Sequence, residues 1–242
     1  MIIRPSIAAG FLYPMDADDL VIDVTQRLLA LPTVESKPFG LVVPHGSFES
    51  TGDVSAAAFR HLAKLGPSVS DVIILGAAHD GVTGAVLPIS QQFKTPLGNV
   101  DVNTRHVRSL SLLPFVHRND RIHLKALNIE VQLPFLQTCL LDFAMLPVLI
   151  GAMNEIDMRT LLLSLPIKEN TLLIVSVDVS ADIDRCANPQ EAFLLNHIEA
   201  FLAKQDLQFE LAFNPADQSS KVHLNDGAQK QQPNTYKSYI IR

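Results

Sequence analysis

Cysteine is scarce in this chain. Cys139 and Cys186 are the only two, and Cys139 lies in an apolar stretch. Such usage supplies neither a disulfide framework nor a CxxC metal knuckle, and it fits a reducing compartment. No run of Lys or Arg stands out and the formal net charge is −6, so the electrostatic footprint of a nucleic-acid binder is missing. No stretch reaches the ~20 apolar residues that span a bilayer. The opening MIIRPSIAAGFLYP has no long apolar core behind a basic start. The expectation is an acidic, cytoplasmic protein that is not inserted in a membrane.

Missing motifs narrow the chemistry further. No GxGxxG follows a strand, and Walker A, GxSxG and HExxH are absent, so nucleotide-dependent, serine-hydrolase and zincin readings lack their mechanical parts. Gly40, Gly46, Gly76 and Gly81 are isolated turn residues rather than a phosphate cradle.

What is present suits one domain over residues 1–242, since 48% of them are hydrophobic and can bury a sizeable core. Four apolar runs rich in β-branched residues, Phe39–Pro44, Asp71–Ala77, Ala144–Ile150 and Leu172–Val179, read as strands. Their unbroken hydrophobicity points to a sheet covered on both faces. Helical patterns lie between them: Asp16 caps a helix through Leu29, Gly52–Leu65 carries an apolar stripe, and Asn188-Pro189 opens a third helix. Alternation of strand and helix predicts an α/β layered domain. Ala85–Ser90 and Val100–Val102 read as two short strands around the turn Thr95-Pro96-Leu97-Gly98. From about residue 214 the chain turns polar, and Asn214–Pro233 reads as irregular or mobile.

Ligands of open α/β sheets gather at the carboxyl ends of strands. Here those ends are polar: one run enters His45-Gly46-Ser47, another Ala78-His79-Asp80, and the last carries Asp178 between Ser176 and Ser180. Two histidines and a carboxylate at neighbouring ends could form the facial triad of non-haem iron, and the competing reading is loop histidines bonded to backbone. Asp80 and Glu49 are further carboxylates at these ends. His61, His106, His117, His123 and His197 read as solvated or locally bonded side chains. Cys186 is close enough to Asp178 to reach the same rim, or is a small buried hydrophobe.

These residues also carry a resemblance. Arg4-Pro5 with Ala9-Gly10-Phe11-Leu12-Tyr13-Pro14, Val43-Pro44-His45-Gly46 with Ser50-Thr51-Gly52, Ile74–His79, Thr95–Gly98 and Glu130–Leu136 stand in the order of the Memo family's motifs. The chain therefore resembles that family, whose fold is that of the LigB-type (class III) extradiol dioxygenases. The resemblance implies a single-domain αβ-sandwich and a pocket where family histidines, with a cysteine in some members, bind iron or copper. Residue by residue it makes His45, His79 and Asp178 the metal candidates, with Ser47, Asp80, Leu127, Glu130, Ser176 and Ala181 around them.

The departures are as informative. Ala181 stands where the family's SSDLSH segment ends in histidine, Leu127 stands where EHSLEVQLPF has one, and Ala212–Ala216 supplies no cysteine. Loss of a ligand and an acid/base group together weakens metal affinity and proton transfer. The sequence thus favours a degenerate metal site on a non-catalytic binding or scaffold protein, with weak iron, copper or zinc binding. The alternative is a metal-dependent oxidoreductase with a rearranged site, with His123 as a distant acid/base candidate. The implied partner is a protein or small-molecule ligand; the resemblance adds a link to the AmmeMemoRadiSam group and its radical-SAM protein.

Overall fold

A computed structural model describes residues 1–32, 37–62, 68–78, 81–180, 185–213 and 236–242. Within them the chain is mixed α/β around one large sheet. The strands are β1 (Ile3–Arg4), β2 (Gly40–Val43), β3 (Asp71–Ala77), β4 (Ala85–Leu87), β5 (Gln92–Thr95), β6 (Gly98–Val102), β7 (Val116–Arg118), β8 (Ala144–Ile150), β9 (Thr171–Ser176), β10 (Val179–Ser180), β11 (Arg185–Cys186), β12 (Phe209–Phe213) and β13 (Tyr236–Ile241). The helices are α1 (Ala17–Leu29), α2 (Phe48–Phe59), α3 (Thr104–Leu110), α4 (Asp120–Lys125), α5 (Leu127–Glu130), α6 (Leu133–Cys139), α7 (Glu155–Ser164) and α8 (Pro189–Ala203).

The middle of the sheet runs β6-β8-β3-β9-β2, all parallel, and β13 joins β2 antiparallel. Every residue of β9, and every residue of β3 after Asp71, is buried. Unbroken aliphatic runs such as Val72–Leu75 therefore find cover on both faces, as parallel strands require. Helices α1, α2 and α6 pack together, α2 also against β2 and β13, while α7 packs on α8 and α8 on β3. Among the described residues no helix is long and apolar enough to cross a membrane.

The helix signals act locally as expected. The Asp16 carboxylate accepts from the Asp18 and Asp19 backbone N–H groups, and Asp18 and Asp19 place negative charge at the positive end of α1. Asn188 caps α8 with Pro189 in its first turn.

Several boundaries differ from the sequence expectation. The strand entering the Thr95–Gly98 turn is β5, not Ala85–Ser90; β4 pairs instead with β7 and β8. The cause is Asp120, whose carboxylate accepts from the Ile89 and Ser90 N–H groups and from Ser90 Oγ, turning the chain after Pro88. Helix α2 starts at Phe48, four residues before Gly52, and tightens to a 3-10 turn at Arg60–Leu62; Leu65 lies outside the described residues. The run Leu172–Val179 breaks after Ser176, leaving Asp178 between β9 and β10. Asn214–Pro233 lies outside the described residues, yet the chain beyond it is not polar tail: β13 enters the sheet between β2 and β10.

Candidate functional site at the strand carboxyl ends

The parallel register sets β2, β9, β3 and β8 to end side by side. Val43 and Gly76 both pair with Ser176, and Ala77 pairs with Ile150. Two residues beyond Val43 comes His45, and two beyond Ser176 comes Asp178. Equal overshoot on adjacent strands brings them together.

They meet in a closed ring with a third residue, Glu191, in the first turn of α8. The His45 backbone N–H donates to Asp178 Oδ1 at 2.9 Å, and the Asp178 N–H donates to Glu191 Oε2 at 2.8 Å. Glu191 Oε1 lies 2.9 Å from His45 Nε2, and Asp178 Oδ2 lies 3.9 Å from the same nitrogen. Side-chain exposure is 16% for His45 and 3% for Glu191, so the imidazole–carboxylate contact is largely shielded from water. Burial pushes the His45 pKa down, but the Glu191 hydrogen bond and the charges of Asp178 and Glu191 outweigh it and leave it above its ordinary value. Cys186 pairs with Val179 across β10–β11; burial, with Glu191 and Asp178 adding to it, holds its thiol protonated with a pKa of about 12.

A second layer fixes the strand ends from the α5–α6 side. Gln132 Nε2 donates to the Pro44 carbonyl and to Ser176 Oγ, both at 2.9 Å. Ser176 Oγ donates to the Asn128 carbonyl at 2.7 Å, and Asn128 Nδ2 to the Ala77 carbonyl at 2.8 Å. Three strand ends are thereby tied to one helical segment. Gly76 allows it: a Cβ there would come 2.7 Å from Asn128 Nδ2. On the α8 side, Gln190 Nε2 donates to the Gly151 carbonyl just past β8.

Of the residues singled out in the sequence, the structure brings His45 and Asp178 together; His79, Asp80 and Ala181 lie outside the described residues. Ser176 belongs to the buried second layer, and Ser47 opens α2 with its hydroxyl 3.0 Å from Ser50 Oγ. Leu127 is half-buried against the apolar core. Glu130 has a different role. Its fully buried carboxylate accepts from Arg4 Nη1, Ser6 Oγ, the Ile7 and Ala8 N–H groups and the Tyr13 hydroxyl, locking the N-terminal segment down. Burial alone would raise its pKa, but the Arg4 guanidinium more than reverses this.

Of the remaining histidines, His117 is exposed and His197 is locally bonded, as expected, while His123 and His61 are buried. His123 is fully buried with Nε2 3.1 Å from the Val86 carbonyl, and burial pushes its pKa down to about 4, which does not suit an acid/base group. His61 is also buried and lowered to about 4. His106 Nε2 stands 3.5 Å from Asp71 Oδ1, and His197 Nδ1 bonds the Phe193 carbonyl.

Glu191 escaped the sequence reading because Asn188-Pro189-Gln190-Glu191 has the spacing of a capping box, in which the glutamate turns back to its own helix end. Here it turns outward to another strand end. As to metal, His45 Nε2 faces the Glu191 carboxylate at 2.9 Å, and two of the candidate donors, His79 and Asp80, lie outside the described residues. Among the described residues no three His, Cys, Asp or Glu side chains are disposed to share an ion.

Comparison with known proteins gives a consistent picture. The family of Memo-like proteins matches residues 4–207. A MEMO1 family protein of Methanobrevibacter smithii is 32% identical over 219 residues, covering 82% of this chain and 77% of its own. One from Thermotoga neapolitana is 32% identical over 213 residues, covering 80% and 76%, and one from Thermotoga maritima 35% over 159 residues, covering 60% and 57%.

Proposed function

This chain belongs to the Memo family, and from that premise we propose that it is a cytoplasmic binding protein of the family whose pocket survives without a strong resident metal site. The observation that carries this reading is the 2.9 Å contact of His45 Nε2 with the buried Glu191 carboxylate, which spends a candidate ligand nitrogen inside the protein. Leu127, a hydrocarbon packed on the core where the family pattern has histidine, supports it. The rim that remains offers imidazole and carboxylate hydrogen-bonding groups to a small molecule or to a protein segment, a radical-SAM partner among the latter.

One observation favours a second reading. Metal-ligating histidines regularly give their other ring nitrogen to a carboxylate, which fixes the ring and raises its basicity. Glu191 would then be the outer partner of a His45, His79 and Asp178 centre in an oxidoreductase. Elemental analysis of protein purified without chelator or affinity tag separates the two. Metal well below one equivalent with no cleavage of catechols supports the binding protein; close to one equivalent, lost in both His45→Ala and His79→Ala, establishes the centre.

A further inference from the structure

A cavity of about 690 Å³ opens at the opposite end of the sheet, within the range of small-molecule sites. It lies at the amino ends of β2 and β9, where Lys37, Lys168 and Arg242 line it from three separate segments. Six residue steps along β2 and its ends separate Phe39 in its wall from His45, about 20 Å at the rise of a strand. Ligand sites of parallel sheets belong to the other end, so fold alone does not account for basic residues gathered here.

Charge and shape both speak for a ligand. The protein is acidic, with net charge −6, yet among the described residues three positive side-chain heads line this cavity, with the Glu169 carboxylate beside them and the Glu210 carboxylate paired to Arg242. Phe39, Ile167 and Leu207 add an apolar wall. The walls are held by hydrogen bonds: between backbone groups, Phe39 N–H donates to the Ile241 carbonyl and Gln208 and Arg242 exchange N–H···O bonds of 2.7 and 3.1 Å, and the Lys168 N–H donates to the Thr171 side-chain Oγ1 at 3.1 Å. Such a frame needs little reordering on binding. Arg242 meets Glu210 at 2.9 Å with side chains 41% and 52% exposed, and an ion pair that wet is weak enough to give way to an incoming anion.

We propose that this cavity binds a small organic phosphate, its doubly charged head held by Lys37, Lys168 and Arg242 and its apolar tail against Phe39, Ile167 and Leu207. A phosphomonoester carries about −1.5 to −2 near pH 7 and can take the place of Glu210 at Arg242 while the two lysines meet its remaining charge. Lysine acts as a point charge toward phosphate, while the Arg242 fork adds direction. The site is independent of the rim around His45.

Calorimetric titration of the full chain with hexyl phosphate tests it, with inorganic phosphate, hexanol and phosphatidic-acid vesicles as separate arms. The expected result is one hexyl phosphate per chain, bound at least tenfold more tightly than inorganic phosphate or hexanol. The double variant Lys37→Ala/Lys168→Ala loses tenfold or more in affinity, whereas Lys94→Ala, an exposed lysine on β5, loses none. Both lysines are solvent-exposed, so an unchanged melting temperature and circular dichroism spectrum verify that the double variant folds. No heat at millimolar hexyl phosphate, equal affinity in the double variant, or binding of vesicles but not of free hexyl phosphate overturns the proposal.

Discussion

Glu191 Oε1 sits 2.9 Å from His45 Nε2 and is shielded from water, although the two residues are 146 positions apart in the chain. The same carboxylate receives the Asp178 N–H, so one side chain on α8 sets both the imidazole and the aspartate backbone. Removing its charge should therefore be felt as one event at both.

Glu191→Gln keeps the shape but replaces a charge-assisted bond with a neutral one, and such bonds differ by about 1–2 kcal/mol. Urea unfolding at pH 6 should show a loss of that size. An unchanged midpoint would mean that the ring of bonds is not energetically coupled.

Glu130 and Arg4 form a fully buried ion pair. Glu130→Ala strands a buried guanidinium and should cost about 3–5 kcal/mol. Tyr13→Phe removes one of several donors to the same carboxylate and should cost about 1 kcal/mol. Amide exchange over residues 4–13 should accelerate most in the first variant; equal exchange in both would contradict the hub.

Acidification acts through His123 and His61. Both have folded pKa values of about 4, below the ~6.5 of an unfolded histidine. Between those values the unfolded chain binds more protons, so stability falls as pH drops from about 6.5 toward 4. Urea midpoints at pH 7 and pH 5 should differ in that direction, and His123→Leu should flatten the slope. Carboxylates such as Glu130, lowered in the folded state, add their loss only below their unfolded value of about 4.3.

Gly76→Ala tests the second layer. Its Cβ would meet Asn128 Nδ2 at 2.7 Å, and overpacking of this kind costs about 1–3 kcal/mol. Asn128→Ala should relieve the clash, so the double variant should be more stable than the sum of the two single losses.

Much of this molecule can be read in its sequence because the responsible forces are local or periodic. Val72–Leu75 and Leu146–Ile150 announce doubly covered strands, Asp16 and Asn188 mark helix starts, and His45 and Asp178 follow from where strands end. Other features depend on partners remote in the chain. Nothing near Tyr236–Ile241 tells that this segment pairs with β2, and nothing beside Glu191 points to His45. Asp120 redirects Ile89 and Ser90 across 30 residues, which no window of sequence contains. Glu130, part of a motif shared with the family, reads as a pocket residue until its donors from the N-terminal segment are seen.

The most direct measurement is the long-range ¹H–¹⁵N spectrum of the His45 ring, recorded while zinc or ferrous iron is added to the metal-free protein. On the binding-protein reading, with Nε2 held by Glu191, the expected result is an Nε2–H signal that persists unshifted at one equivalent of metal, with only weak changes at large excess. Saturation of the His45 and His79 ring signals at one equivalent would contradict it and make Glu191 the outer support of a working metal centre.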